Sequence, residues 1–294
     1  MLRVTVDLYS GKANPNWTVA GDVARGLLRE AGLNRSAVAM PGNVPGRLGY
    51  RSMLVDVLDG RLSRDNGLPM RFALAYPGAP NFSKGMEIAE KLLATATTAA
   101  LAGFLPLTPL LLPLLCRREI QEALRSLAKR LAKALAQPAP GSGITSCAFE
   151  RLSFDPGFWN DPAHIAKNNC YAYATNKRTD TFPQPGLQAG SPITILNCAD
   201  ATRASRADGV RLVNDCLPDS EKPRLLVALV IWPGEDYHWY RLHSEGFWGH
   251  KPGETPAVNV DNAGNLITDP QTCDRGPYTD FCRFMLVPNS IVVR

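Results

Sequence analysis

Histidine is scarce in this sequence, four in 294 residues, and no two cysteines stand at Cys-x-x-Cys spacing. With no histidine at zinc-ligand spacing either, no metal site is expected, and neither a metal nor an organic cofactor is called for. Surplus charge is also short: 32 Lys and Arg stand against 27 Asp and Glu, a net of +5. Residues 117–136 hold six basic and two acidic side chains, a local excess of four. The remainder is nearly neutral, which argues against a broad nucleic-acid face. The opening Met1-Leu2-Arg3-Val4-Thr5-Val6-Asp7 lacks a basic stretch followed by an apolar core. The expectation is therefore no signal peptide, and a protein that is cytoplasmic in its producer or exported by a signal-independent route. Seven cysteines leave at least one thiol free. In an oxidising compartment Cys198 can pair with Cys216 and Cys273 with Cys282; in a reducing one all are small core residues.

What is present divides the chain. Residues 1–80 suggest a small α/β module, with strands at Val4–Tyr9, Met53–Leu58 and Met70–Tyr76 and a helix at Ala20–Ala31 stopped by Gly32. Residues 81–137 predict a helical hairpin, its first helix running from Ser83 to Phe104. Its centre is the uncharged run Leu92–Cys116, long enough to span a bilayer but interrupted by Pro106, Pro109 and Pro113. Two readings stand: a buried hairpin, or membrane contact through residues 92–136 with the basic flank on anionic lipid. Residues 138–143, Pro-Ala-Pro-Gly-Ser-Gly, form a linker.

Residues 144–294 are rich in aromatics, Asn, Asp, Gly and Pro. Arg224–Trp232 is a continuous apolar run and predicts a central strand. Tyr237–Leu242 and Phe247–Lys251 predict a hairpin about Ser244-Glu245-Gly246, with further edge strands at Leu266–Thr268 and Phe284–Val287. Before them, Asn168-Asn169-Cys170-Tyr171-Ala172-Tyr173 places a thiol where a helix should begin, behind two good N-caps. A cysteine there feels the positive end of the helix dipole, and free amides nearby can hold an oxyanion. Folding the hairpin about Ser244 sets His238 opposite His250, one as base for Cys170 and the other as its orienter. Asn259 and Asp261 stay open as alternative orienting groups, and Asn168, Asn169 and Asn176 as oxyanion donors or helix caps. His243 is expected on the other face with no role, and His164 at the surface or in packing.

The order Cys170…His238…His250 and the 12-residue interval between the histidines resemble the NlpC/P60 branch of papain-like cysteine hydrolases. The resemblance covers about residues 150–290 and departs from the family where Asn169-Cys170-Tyr171 replaces its Asp-Cys-Ser/Gly signature. It implies an α+β fold with a helix-borne cysteine packed on an antiparallel sheet. It also implies a peptide or peptidoglycan-like substrate.

Two functions of different class follow. One is a cysteine-dependent amide hydrolase (a thiol protease or amidase), with Cys170 as nucleophile and His238 as base. Joined to the membrane reading, it suggests a bacterial antibacterial effector with an inhibitor or delivery partner. The other is a non-enzymatic carbohydrate- or peptide-binding protein that uses Trp232, Trp239, Tyr240, Phe247 and Trp248 as an exposed aromatic surface.

Overall fold

The computed structural model of the protein describes residues 1–96 and 147–294. Within them the chain is mixed helix and antiparallel sheet, an α+β fold. The described residues group into two compact units whose membership does not follow chain order. The first holds Met1–Leu8, Asn14–Pro45 and the chain from Tyr50 to 96; the second holds Tyr9–Ala13, Gly46–Gly49 and 147–294. A boundary near residue 80 does not anticipate those two short excursions. The linker at 138–143 lies outside the described residues, as does most of the 81–137 segment.

The first unit is a five-stranded sheet in the order β2-β1-β4-β5-β3, from β1 (Leu2–Asp7), β2 (Asn16–Val19), β3 (Val38–Ala39), β4 (Ser52–Val57) and β5 (Arg71–Leu74). In β1 every residue but Arg3 is buried, so this strand is covered on both faces. Two longer helices complete the unit, α1 (Gly21–Leu33) and α3 (Phe82–Leu93), with the short α2 (Gly60–Asp65) between them in sequence. Glu30 of α1 accepts from both Lys84 and Lys91 of α3, which ties the two helices together on their wet side. Helix α1 runs through Gly32 instead of stopping there. The glycine is needed for space: a Cβ at this position would lie 2.5 Å from the Asn66 carbonyl oxygen. Helix α3 is capped by the Asn81 side chain and ends at Leu93, short of the expected Phe104. Beyond 96 the apolar run lies outside the described residues. Among the described residues no helix is long and apolar enough to cross a membrane.

The second unit carries an antiparallel sheet in the order β6-β10-β7-β8-β9. Its strands are β6 (Arg211–Leu212), β7 (Leu225–Trp232), β8 (Asp236–Leu242), β9 (Trp248–His250) and β10 (Asp280–Val287). The apolar run of β7 is central, as its composition requires, and every residue of β8 is buried. β10 is not an edge; it lies between β6 and β7. Among the described residues two disulfides brace this unit, Cys147–Cys216 and Cys198–Cys282, and Cys170 and Cys273 are free. The pairings expected from nearness in sequence are therefore replaced. The helix Cys198–Ala207 packs on β10, which brings Cys282 to its first residue across 84 positions.

Candidate functional site: a buried serine–histidine cluster

Cys170 begins the six-residue helix Cys170–Thr175, and Asn169 caps it as the local sequence predicts. The Asn169 Oδ1 accepts from the amides of Tyr171 (3.1 Å) and Ala172 (3.0 Å). The Cys170 amide itself donates to the Ser10 carbonyl at 3.5 Å. The three amides that an oxyanion would need are thus bonded within the protein, and Asn169 acts as a cap. Asn168 is taken up by Asp180 and the His164 carbonyl, and Asn176 by Arg241.

The thiol is wholly buried among Tyr171, Ala174, Tyr237 and Trp239, with its sulfur 3.9 Å from the Tyr237 carbonyl. Burial, followed by the Asp236 charge, pushes its pKa far above the ordinary thiol range. Burial thus opposes the thiolate that a helix N-terminus would otherwise favour.

The histidines do meet. In the hairpin, Leu242 pairs with Trp248 and Tyr240 with His250, so the turn centres one residue later than Ser244. A one-residue shift of the centre moves the pairing by two, which keeps both histidines on one face and sets them diagonally. His238 Nε2 lies 2.9 Å from His250 Nδ1, and His250 Nε2 lies 3.0 Å from the Val260 carbonyl. A carbonyl only accepts, so with neutral rings His250 Nε2 carries the proton and its Nδ1 accepts from His238 Nε2. His238 Nδ1 is left with its lone pair, and it faces the Ser10 hydroxyl at 2.9 Å. Of the three residues expected as partners of His238, it is His250 that touches it. Asp261 bonds the amides of Ala263, Asn265 and Asp274 to form its own turn, and Asn259 bonds Ile267 through its main chain.

Ser10 is the residue that sequence spacing does not reveal. It comes from the Tyr9–Ala13 segment, more than 200 positions from His238, and its hydroxyl also lies 3.1 Å from the Tyr237 carbonyl and 3.0 Å from Tyr278 Oη. The adjoining carboxylate is Asp236, the first residue of β8. It accepts from the amides of Ser10 (2.6 Å), Gly11 (3.1 Å) and Lys12 (3.1 Å), and from Tyr278 Oη (2.5 Å). Burial raises its pKa, and these four donors pull the other way. Lys251 is likewise buried, its Nζ held by the carbonyls of Ile165, Asn168 and Gly253.

The other expectations resolve similarly. His243 is not idle: Nε2 meets Tyr173 Oη at 2.6 Å and Nδ1 meets the Leu152 carbonyl at 3.2 Å. Burial, helped by Arg241, lowers its pKa to about 4. His164 is partly exposed and pairs with Asp180. Trp239, Tyr240 and Trp248 are buried and Trp232 and Phe247 half-buried, so these rings line the core instead of a surface groove. Among the described residues no group of His, Cys, Asp and Glu could hold a metal ion.

No family model matches the chain, and no solved structure matches it. It is 46% identical over 128 residues to insoluble matrix shell protein 1 of Ruditapes philippinarum, which covers 44% of this chain and 84% of that protein. The chain belongs to the family of that shell matrix protein. This kinship overturns the expectation of a bacterial toxin effector. It also overturns the cytoplasmic placement. The two disulfides agree with that correction, since such bonds persist in oxidising compartments.

Proposed function

We propose that the chain is a non-enzymatic, disulfide-braced component of an extracellular organic matrix. The observation that carries this reading is its 46% identity to a protein named for an insoluble shell matrix. The closed state of the polar cluster supports it: Ser10, Cys170, Asp236, His238 and His250 are each 0–1% exposed. A network so enclosed braces the fold by fixing three chain segments on one carboxylate and one histidine pair. The test is fractionation of the source tissue with an antibody to the full chain. Recovery from the detergent-insoluble extracellular fraction is expected, and recovery from soluble cytosol overturns the reading.

A second reading is favoured by one observation, the lone pair that the histidine chain directs toward Ser10 beside the Cys170 helix. In that reading the second unit performs cysteine-dependent amide hydrolysis with Cys170 as nucleophile and His238 as base, in keeping with the resemblance to NlpC/P60 hydrolases. It requires the Tyr9–Ala13 segment to leave. Iodoacetamide labelling of native protein near pH 7, mapped by mass spectrometry, tests it. Labelling of Cys170 faster than Cys273, lost in His238→Ala, supports hydrolysis; a Cys170 that reacts only after denaturation removes it.

A further inference from the structure

The Tyr9–Ala13 segment is held as a peptide ligand is held. Three consecutive amides, those of Ser10, Gly11 and Lys12, converge on the Asp236 carboxylate. The Ser10 carbonyl accepts from the Cys170 amide. The Gly11 carbonyl accepts from Asn169 Nδ2 at 2.8 Å and Gln184 Nε2 at 2.8 Å, with Tyr237 Oη 3.0 Å away. Recognition of this kind reads main chain, which any extended peptide supplies. Side chains are read at three places, Tyr9, Ser10 and Gly11. The Ser10 hydroxyl meets His238 and Tyr278. Gly11 abuts Tyr237 so closely that a Cβ would stand 2.6 Å from its ring and 2.7 Å from its carbonyl oxygen. Tyr9 is buried as well, its Oη 3.1 Å from Glu235 and its ring against Trp232; past Gly11 the contacts loosen, with Lys12 lying over the Tyr9 ring and Ala13 exposed.

We propose that Asp236, Asn169, Gln184 and Tyr237 form a binding site for a glycine-centred peptide, and that its ligand in an assembly is the Tyr9–Ala13 strap of a second copy of this chain. The strap belongs to the second unit, while the chain on both sides of it, Met1–Leu8 and Asn14–Pro45, belongs to the first, so the strap is a short segment tethered at both ends. Exchange of an identical element between copies keeps every bond of the closed form and costs no new interface chemistry. A tethered strap competes at an effective concentration on the order of millimolar, so exchange belongs to dense protein such as a solid matrix and is rare in dilute solution. Asp236 and the glycine are the two features the site cannot do without: one supplies the acceptor for three amides, the other the clearance.

Two differently tagged full-length variants test this. Gly11→Ala spoils the strap and leaves the cradle; Asp236→Ala spoils the cradle and leaves the strap. Each is expected to be monomeric alone, and the 1:1 mixture to give a heterodimer by size exclusion with light scattering. A synthetic Leu-Tyr-Ser-Gly-Lys-Ala-Asn peptide should raise the Tm of Gly11→Ala by about 5 °C, compete the heterodimer apart, and lose both effects when its glycine is alanine. Folded variants that neither associate nor bind the peptide overturn the proposal, and peptide binding without a heterodimer overturns the second copy as the source. If Gly11→Ala does not fold alone, refolding it with the peptide should restore the yield of native circular dichroism, and no recovery overturns the site.

Discussion

The buried polar pair of the first unit is ionic, whereas the second unit buries a hydrogen-bond relay that ends on a backbone carbonyl, beside a carboxylate held by amides. In the first unit Arg51 donates to Asp7, both side chains at most 1% exposed, with Asn14 Nδ2 as a further donor to the same carboxylate. In the second, Ser10, His238 and His250 pass a single hydrogen-bond direction to the Val260 carbonyl, and Asp236 is satisfied by three amides and a tyrosine. The two arrangements carry different risks. Losing one member of an ion pair strands a charge in a medium that cannot solvate it, whereas losing one member of the relay leaves a neutral donor or acceptor short of one bond.

Arg51→Met is therefore expected to be the costliest single change, about 3–5 kcal/mol by urea denaturation. Adding Asp7→Leu should recover part of that loss, because the stranded charge is then gone. A double variant no more stable than the single one would break the comparison. Next comes the covalent brace, which among the described residues lies only in the second unit. Replacing Cys198 and Cys282 together by alanine should lower stability by about 2–4 kcal/mol, read as a shift in the urea midpoint.

Ser10→Ala should cost less, about 1–3 kcal/mol. It removes the hydroxyl partner of His238 and leaves the Ser10 amide on Asp236 in place. If this variant proves as damaging as Arg51→Met, the relay is no softer than the ion pair. The smallest effect concerns His243, whose pKa falls from 6.5 to about 4 on folding because burial disfavours the charged ring. Between those values the unfolded chain binds the extra proton, so stability declines as pH drops through this window and levels off near its lower end. His243→Gln should flatten that slope in denaturation curves recorded from pH 7 to pH 4.

Much of this was legible in the sequence. The apolar run of β7, the strand of β4 and the Asn169 cap announce themselves through composition and residue type. The His238–His250 meeting follows from hairpin geometry, although the turn centre is misplaced by one residue, since Ser244, Glu245 and Gly246 all suit a turn and Gly246 takes the positive φ. Ser10 and Asp236 left no trace. The serine sits in an unremarkable Tyr-Ser-Gly-Lys stretch, and nothing local says that its amide will find a carboxylate 226 positions away. The cysteine pairings were hidden for the same reason, because they follow strand order, and the order places β10 beside β7 while β8 and β9 extend the other side. Around Cys170 the sequence shows the helix start and its cap but not that the Ser10 carbonyl and the Asn169 side chain take the amides there.

The two disulfides have a topological consequence. Cys147–Cys216 and Cys198–Cys282 close loops that overlap between residues 198 and 216. Every peptide bond from 147 to 282 therefore lies inside at least one closed ring. A protease that cuts once anywhere in that stretch releases no fragment, and the two ends stay joined until every bridge spanning the cut is reduced, both of them between residues 198 and 216. Such a nick goes unseen in a non-reducing gel and becomes visible only under reducing conditions.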